Sequence, residues 1–234
     1  MTERAPWGVI FDVDGTMVDN RDYHRRAWIE FGERHNLPIT AAFYSQNIHS
    51  KSNDNTARLL YGEDCGDDVI ARVADEKESL YRDFYRPDLR EMPGLTRLLA
   101  DLGRDHVPCA TVSNSTHANI EMVLSGLGIR DCFDVVLSFT DVTHSKPHPE
   151  LFLTAADRMD VPIERCVVIE DSPSGFAAAE AAGAAYVVIS SGADPAHLHK
   201  ARHAAAVHPN FTTLSAESLG VLVEATLPAA PAES

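Results

Sequence analysis

The feature that most constrains this chain is the uneven spacing of its short apolar runs. Five stand out, at residues 7–11, 107–112, 133–139, 166–169 and 185–189, rich in Val and Ile and not strictly alternating. Such runs suit parallel strands buried on both faces, since a solvated face would place a polar residue at every second position. Between the later runs, apolar residues recur at helical spacing. Leu95, Leu98, Leu99 and Leu102 share one face, as do Ile120, Val123, Leu124 and Leu127, then Leu151, Phe152, Ala155, Ala156 and Met159; residues 176–182 are Ala-rich. Strands alternating with helices predict an α/β fold with a mostly parallel sheet. Between the first run and the second, however, about 90 residues pass, far more than a crossover needs. That stretch reads as helices at 23–34, 53–60 and 69–85. The chain is therefore read as an α/β core of residues 1–16 and 93–234 carrying an inserted α-helical cap domain, residues 17–92. Pro93-Gly94 marks the return to the core. The Ala- and Pro-rich tail, residues 227–234, is expected to fray.

Charge narrows the partners. A formal net charge of −15 argues against nucleic acid and against an anionic membrane surface, both of which require a basic patch. An acidic chain that binds an anion must supply positive charge locally, through isolated lysines or a metal ion. The N-terminus has no apolar segment of the secretory kind, and no run is long enough to cross a bilayer. Cys65, Cys109, Cys132 and Cys166 show no CxxC spacing, and Cys109 and Cys166 fall in or beside strand-like runs, where a buried thiol is ordinary. These features predict a reducing, cytoplasmic setting. Oligomeric state is not legible.

Ligands of open parallel sheets bind beyond the carboxyl ends of the strands, so the residues that follow each run carry the functional argument. After the first come Asp12-Val13-Asp14-Gly15-Thr16. Carboxylates two apart on an extended chain point to the same side and repel unless a cation lies between them or one holds a proton. After the second comes Ser113-Asn114-Ser115, a hydroxyl and amides entering a helix, which suits a phosphate. After the third comes Ser145-Lys146-Pro147-His148-Pro149, a lysine set between turn formers. After the fourth comes Glu170-Asp171-Ser172-Pro173-Ser174-Gly175, two carboxylates at the end of a buried run. An oxygen-only donor set without Cys or clustered His suits Mg2+. Taken singly, these are an Asx-rich turn, two helix caps and a surface lysine. Four polar clusters at four successive strand ends are a different matter.

Phe-Asp-Val-Asp-Gly-Thr at 11–16, Ser113-Asn114, Lys146 and Glu170-Asp171 resemble, in order, the four motifs of the haloacid dehalogenase superfamily. The resemblance extends over essentially the whole chain, including a helical cap inserted after the first motif, and implies a Rossmann-like core. It implies that Asp12 is the nucleophile that forms an aspartyl-phosphate and Asp14 the general acid/base. Ser113 and the Asn114 amide would hold phosphoryl oxygens, Gly15 would shape the turn beside them, and Lys146 would neutralise charge. Asp12, the Asp14 carbonyl and Asp171 would hold Mg2+, with Glu170 beside or behind them. The implied activity is a phosphatase acting on a small phosphate monoester, a sugar or polyol phosphate.

Within that superfamily the segment 19–28 resembles the branch containing β-phosphoglucomutase and sugar-phosphate phosphatases. His24 matches a histidine near the general acid, Lys77 a cap lysine, and Lys51 a position where the mutase carries Arg. The mutase also has Ser-Lys-Asn after its second motif, where this chain has Ser115-Thr116-His117. A mutase must grip a second phosphate, and a lost lysine plus an Arg-to-Lys exchange weakens that grip; the reading is therefore phosphatase, with the mutase as alternative. A Thr of the branch is replaced by Asn20 and its cap Gly by Ser50. A non-catalytic relative would have lost Asp12, Asp14 or Lys146, and none is lost. His197, His199, His203 and His208 are read as a polar surface helix after the fifth run rather than as a metal site.

Overall fold

A computed structural model describes residues 5–49, 51–191 and 198–226. It divides into two compact units, one running to Asp19 and resuming at Arg90, the other Asn20–Leu89. The sequence reading placed these crossings after residue 16 and before residue 93.

The larger unit is a parallel sheet in the order β3-β2-β1-β4-β5-β6. Its strands are β1 (Gly8–Phe11), β2 (Cys109–Ser113), β3 (Val135–Ser138), β4 (Cys166–Glu170), β5 (Ala185–Ile189) and β6 (Ala206–His208). The first five fall within or overlap the five apolar runs. β1, β2 and β4 are buried along their whole length, as continuous rather than alternating hydrophobicity requires. Strand order reverses at β1, which pairs with β2 on one side and β4 on the other. The carboxyl ends of these strands meet at that switch point, where such sheets bind ligands.

The connecting helices of this unit are Leu95–Arg104, His117–Gly126, Glu150–Met159, Pro173–Ala182 and Ala216–Thr226. Leu95, Leu98, Leu99 and Leu102 are all buried, and truncating any of them to Ala would cost about 2–5 kcal/mol. The helix Pro173–Ala182 begins as its sequence suggests: Pro173 fills the first turn, and the Ser172 side chain accepts from the Gly175 amide at 3.1 Å. All four cysteines are free, Cys109 and Cys166 buried, and burial pushes the Cys166 thiol up to about 12.

One reading needs correction. The histidine-rich segment after β5 is not a polar helix throughout. His199 and His203 are exposed in turns, and His208 belongs to β6, its Nδ1 2.8 Å from Thr213 Oγ1. Pairing with β5 competes with helix for these small residues, and only the tertiary ladder reveals which wins. His197 and the tail 227–234 lie outside the described residues.

The smaller unit is helical: α1 (Arg21–Arg34), a short α2 (Ala41–Phe43) running into a π-turn Tyr44–Ile48, α3 (Asn53–Tyr61) and α4 (Asp67–Tyr85). Its core joins α1 to α4 through Ala27, Trp28, Phe31, Leu80, Tyr81 and Tyr85, all buried. The short helix and π-turn were not expected, because three residues carry no helical period.

Candidate active site

Asp12 directly follows β1, and its amide donates to the Ile169 carbonyl of neighbouring β4 at 2.9 Å. This holds the chain against the sheet while the backbone turns away. Gly15 makes that turn at φ 86°, its amide donating to the Val18 carbonyl at 2.8 Å. A Cβ there would lie 2.2 Å from Asp171 Oδ2, so both the conformation and the neighbouring carboxylate call for glycine.

Lys146 Nζ donates to Asp12 Oδ1 and, at 2.7 Å, to Glu170 Oε1. It thus bridges the ends of β1 and β4 from the loop after β3. Its ammonium also lies 5.7 Å from the ring centroid of buried Phe152. Asp12, Lys146, Glu170 and Asp171 are only 5%, 6%, 0% and 8% exposed. Burial, then the Glu170 carboxylate, pushes Asp12 above the usual carboxylate range, with Lys146 opposing. Burial alone would lower Lys146, but Asp12 and Glu170 outweigh it and hold its ammonium protonated.

The second Glu170 oxygen is also engaged. Oε2 accepts from the Asp171 and Ser172 amides, each at 2.8 Å, and from Ser172 Oγ at 2.9 Å. Gly175 makes room for this carboxylate, since a Cβ there would fall 1.8 Å from Glu170 Cδ. Thr16 Oγ1 donates to Asp171 Oδ1 at 3.4 Å.

Ser113, ending β2, donates from Oγ to Asp14 Oδ2 at 2.8 Å and accepts from the Ser115 amide at 2.9 Å. Asn114 does something the sequence did not announce. Its Nδ2 donates to the Lys146 carbonyl at 2.9 Å and its Oδ1 accepts from the Lys146 amide at 3.1 Å. Thr116 is an N-cap, accepting from the Asn119 amide at 3.3 Å.

Oxygens of Asp12, Glu170 and Asp171 all lie within 4.8 Å of one another. Three buried carboxylates against one ammonium leave an excess of negative charge that a divalent cation would offset. The donor set fits Mg2+, which takes oxygen ligands. With both oxygens already bound by donors, Glu170 fits the outer role and Asp12 and Asp171 the inner one.

The smaller unit holds its own polar cluster. Lys77 Nζ lies 2.9 Å from His24 Nδ1 and 2.8 Å from Glu78 Oε1, and Asn53 Nδ2 donates to the same Glu78 oxygen at 2.8 Å. The His24 ring stacks on Tyr81, centroids 3.9 Å apart and planes at 4°. Burial alone would raise the Glu78 carboxyl; Lys77, then His24, with Asn53, hold it down to about 2. Lys51 is exposed, before α3, and Ser50 lies outside the described residues.

Sequence reasoning missed Thr16, Ser172, Gly175 and Glu78 as members of these clusters. For Gly175 a signal existed, a small residue one helical turn beyond a carboxylate pair. For Glu78 there was none, since an acidic residue beside a lysine in a helix is commonplace.

Comparison with known proteins gives a consistent picture. The profile of the haloacid dehalogenase-like hydrolase family matches residues 8–183. Fructose-1-phosphate phosphatase YqaB of Escherichia coli is 32% identical over 180 residues, 75% of this chain and 92% of that protein. Beta-phosphoglucomutase of Bacillus subtilis is 30% identical, over 79% of this chain and 83% of its own. Among solved structures, CbbY of Rhodobacter sphaeroides in complex with xylulose-1,5-bisphosphate has a TM-score of 0.79 at 25% identity, covering 91% of this chain and 98% of that one.

Proposed function

Because this chain belongs to the haloacid dehalogenase-like hydrolase family, we propose that it is a Mg2+-dependent phosphatase that hydrolyses a small phosphate monoester, a sugar or polyol phosphate. The observation that carries this reading is the Lys146 ammonium held between Asp12 and Glu170 beside Asp171, at the carboxyl edge of the parallel sheet. The names of the relatives, a fructose-1-phosphate phosphatase and a phosphosugar mutase, favour the same substrate class.

The Asp12 carboxylate attacks phosphorus, and the bond from phosphorus to the ester oxygen breaks. Asp14 gives its proton to the departing oxygen, leaving an aspartyl-phosphate on Asp12. Asp14 then takes a proton from water, which attacks the phosphorus; the bond from phosphorus to the Asp12 oxygen breaks, restoring the Asp12 carboxylate and releasing inorganic phosphate. Ser113, hydrogen-bonded to Asp14, orients that carboxyl. Lys146 keeps Asp12 aligned and offsets the charge of the phosphoryl group, with the Asn114 amide as a further donor. Asp12, Asp171 and the Asp14 carbonyl, with Glu170 behind them, would hold Mg2+, which would supply charge stabilisation for the transferring phosphoryl group. Phosphoryl transfer depends mainly on such positioning and charge. Within the helical unit, His24, Lys77 and Lys51 are the groups proposed to contact substrate.

Hydrolysis is favoured over a mutase reaction because position 116 carries a capping threonine rather than a cation. Two assays test the proposal. Phosphate release from a panel of sugar phosphates, polyol phosphates and nucleotides is expected with Mg2+ and not after chelation with EDTA. Incubation with β-glucose 1-phosphate and a trace of glucose 1,6-bisphosphate is expected to yield little glucose 6-phosphate; efficient conversion without free phosphate would assign a mutase.

A further inference from the structure

A second set of metal-type donors lies on the loop that presents Lys146. His144, His148 and Glu150 offer ligand atoms that all lie within 4.8 Å of one another. His144 Nδ1 is 3.2 Å and His148 Nδ1 3.8 Å from the same carboxylate oxygen, Glu150 Oε2. Two zinc ligands at about 2.0–2.2 Å in a tetrahedral arrangement stand roughly 3.3 Å apart. One of the two His–Glu spacings already meets that value, and the other requires a side-chain shift of about half an ångström. The histidine rings lie close together, with centroids 4.8 Å apart, and their side chains are 63% and 52% exposed. Both rings are therefore reachable from solvent, and an ion would displace the 3.3 Å hydrogen bond that His148 Nδ1 accepts from the Glu150 amide.

Glu150 is the preorganised member. Its Oε1 accepts from the Thr143 amide at 2.8 Å and its Oε2 from the His144 amide at 2.9 Å. These bonds keep the carboxylate ionised and fix its direction, as the outer contacts of metal ligands do. Each oxygen accepts one backbone hydrogen, and Oε2 also meets His144 Nδ1 at 3.2 Å, a contact that a bound ion would replace.

We propose that His144, His148 and Glu150 form a binding site for a transition-metal dication of the Zn2+ type, distinct from the acidic Mg2+ centre. The donor sets separate the two ions. Imidazole nitrogens suit Zn2+, Ni2+ or Cu2+, whereas the oxygen-only centre suits Mg2+. The ligands bracket Lys146 in sequence, so occupancy ties together both flanks of the loop that carries it.

Calorimetric titration of the full chain with Zn2+ tests this, in millimolar Mg2+ so that the acidic centre does not compete. One Zn2+ is expected to bind, and His144→Gln and His148→Gln are each expected to weaken it at least about tenfold. Both histidines are exposed, so the variants should keep their circular dichroism spectra. Titration with Co2+ gives an independent readout, a visible absorption band from low-symmetry coordination that the double variant should lose. Failure of the wild-type chain to bind Zn2+, or unchanged affinity in the folded double variant, would overturn the assignment.

Discussion

The Asn114 side chain grips the backbone of Lys146 from both sides, donating to its carbonyl at 2.9 Å and accepting from its amide at 3.1 Å. The loop after β3 is thereby tied to the end of β2, and the lysine stem leaves it in one direction, toward Asp12 and Glu170. Asn114→Ala is expected to lower kcat by about 10²-fold, the usual cost of a misplacement near 1 Å, with KM changed less. Steady-state phosphate-release kinetics on the best substrate measure this. A kcat within twofold of wild type would mean that the loop holds Lys146 without Asn114.

Asp12→Asn is expected to abolish phosphate release while leaving a folded protein. The amide is nearly isosteric, and Lys146 keeps Glu170 as partner, so no buried charge is orphaned. Circular dichroism and thermal melting check the fold, and single-turnover phosphate release checks the chemistry. Near-normal turnover by a folded Asp12→Asn protein would remove the aspartate from the mechanism.

Gly175→Ala is the smallest change that disturbs the acidic centre without touching a charged residue. Its methyl group would fall 1.8 Å from Glu170 Cδ, forcing either the helix Pro173–Ala182 or the carboxylate to move. Overpacking of this kind costs about 1–3 kcal/mol, and displaced Glu170 would loosen Lys146. Urea unfolding should show the stability loss, and activity against Mg2+ concentration should show a raised requirement. An unchanged Mg2+ profile would mean that Glu170 does not support the metal ligands.

The Glu78 carboxyl is held down to about 2 against an ordinary 4.5. A depressed carboxylate contributes stability that is present above 4.5 and lost as pH falls toward 2, on the order of 3 kcal/mol in total. Glu78→Gln removes this dependence and leaves Lys77 short of its carboxylate partner. The variant should therefore melt at lower temperature than wild type at pH 7, and the two should converge as pH falls below 4. Parallel melting curves across that window would show that Glu78 is not the coupled group.

The sequence alone determined a great deal of this protein. Continuous Val- and Ile-rich runs alternating with helical patterns suit a parallel sheet buried on both faces, so the positions of β1 to β5 were legible, and with them the four strand ends. The long gap after the first strand exposed the helical insertion, because no crossover needs that length. Asp12, Asp14, Ser113, Lys146, Glu170 and Asp171 were marked by following four successive apolar runs, at the strand ends where such sheets bind ligands. These signals are local: they depend on period, composition and position relative to an apolar run.

Tertiary structure decided the rest, because it concerns partners distant in the chain. Lys146 meets Asp12 and Glu170 across sequence separations of 134 and 24, and no periodicity encodes which oxygen it takes. Asn114 was expected to act through its amide, and the fold adds a second contact, its side chain hydrogen-bonding both the carbonyl and the amide of Lys146. Gly175 is glycine because a carboxylate from another element occupies the space of its Cβ. β6 has only three residues, too few to show a pattern, and exists because β5 offers it an edge. The choice of contacts among compatible groups is settled by packing, and packing is a property of the assembled fold.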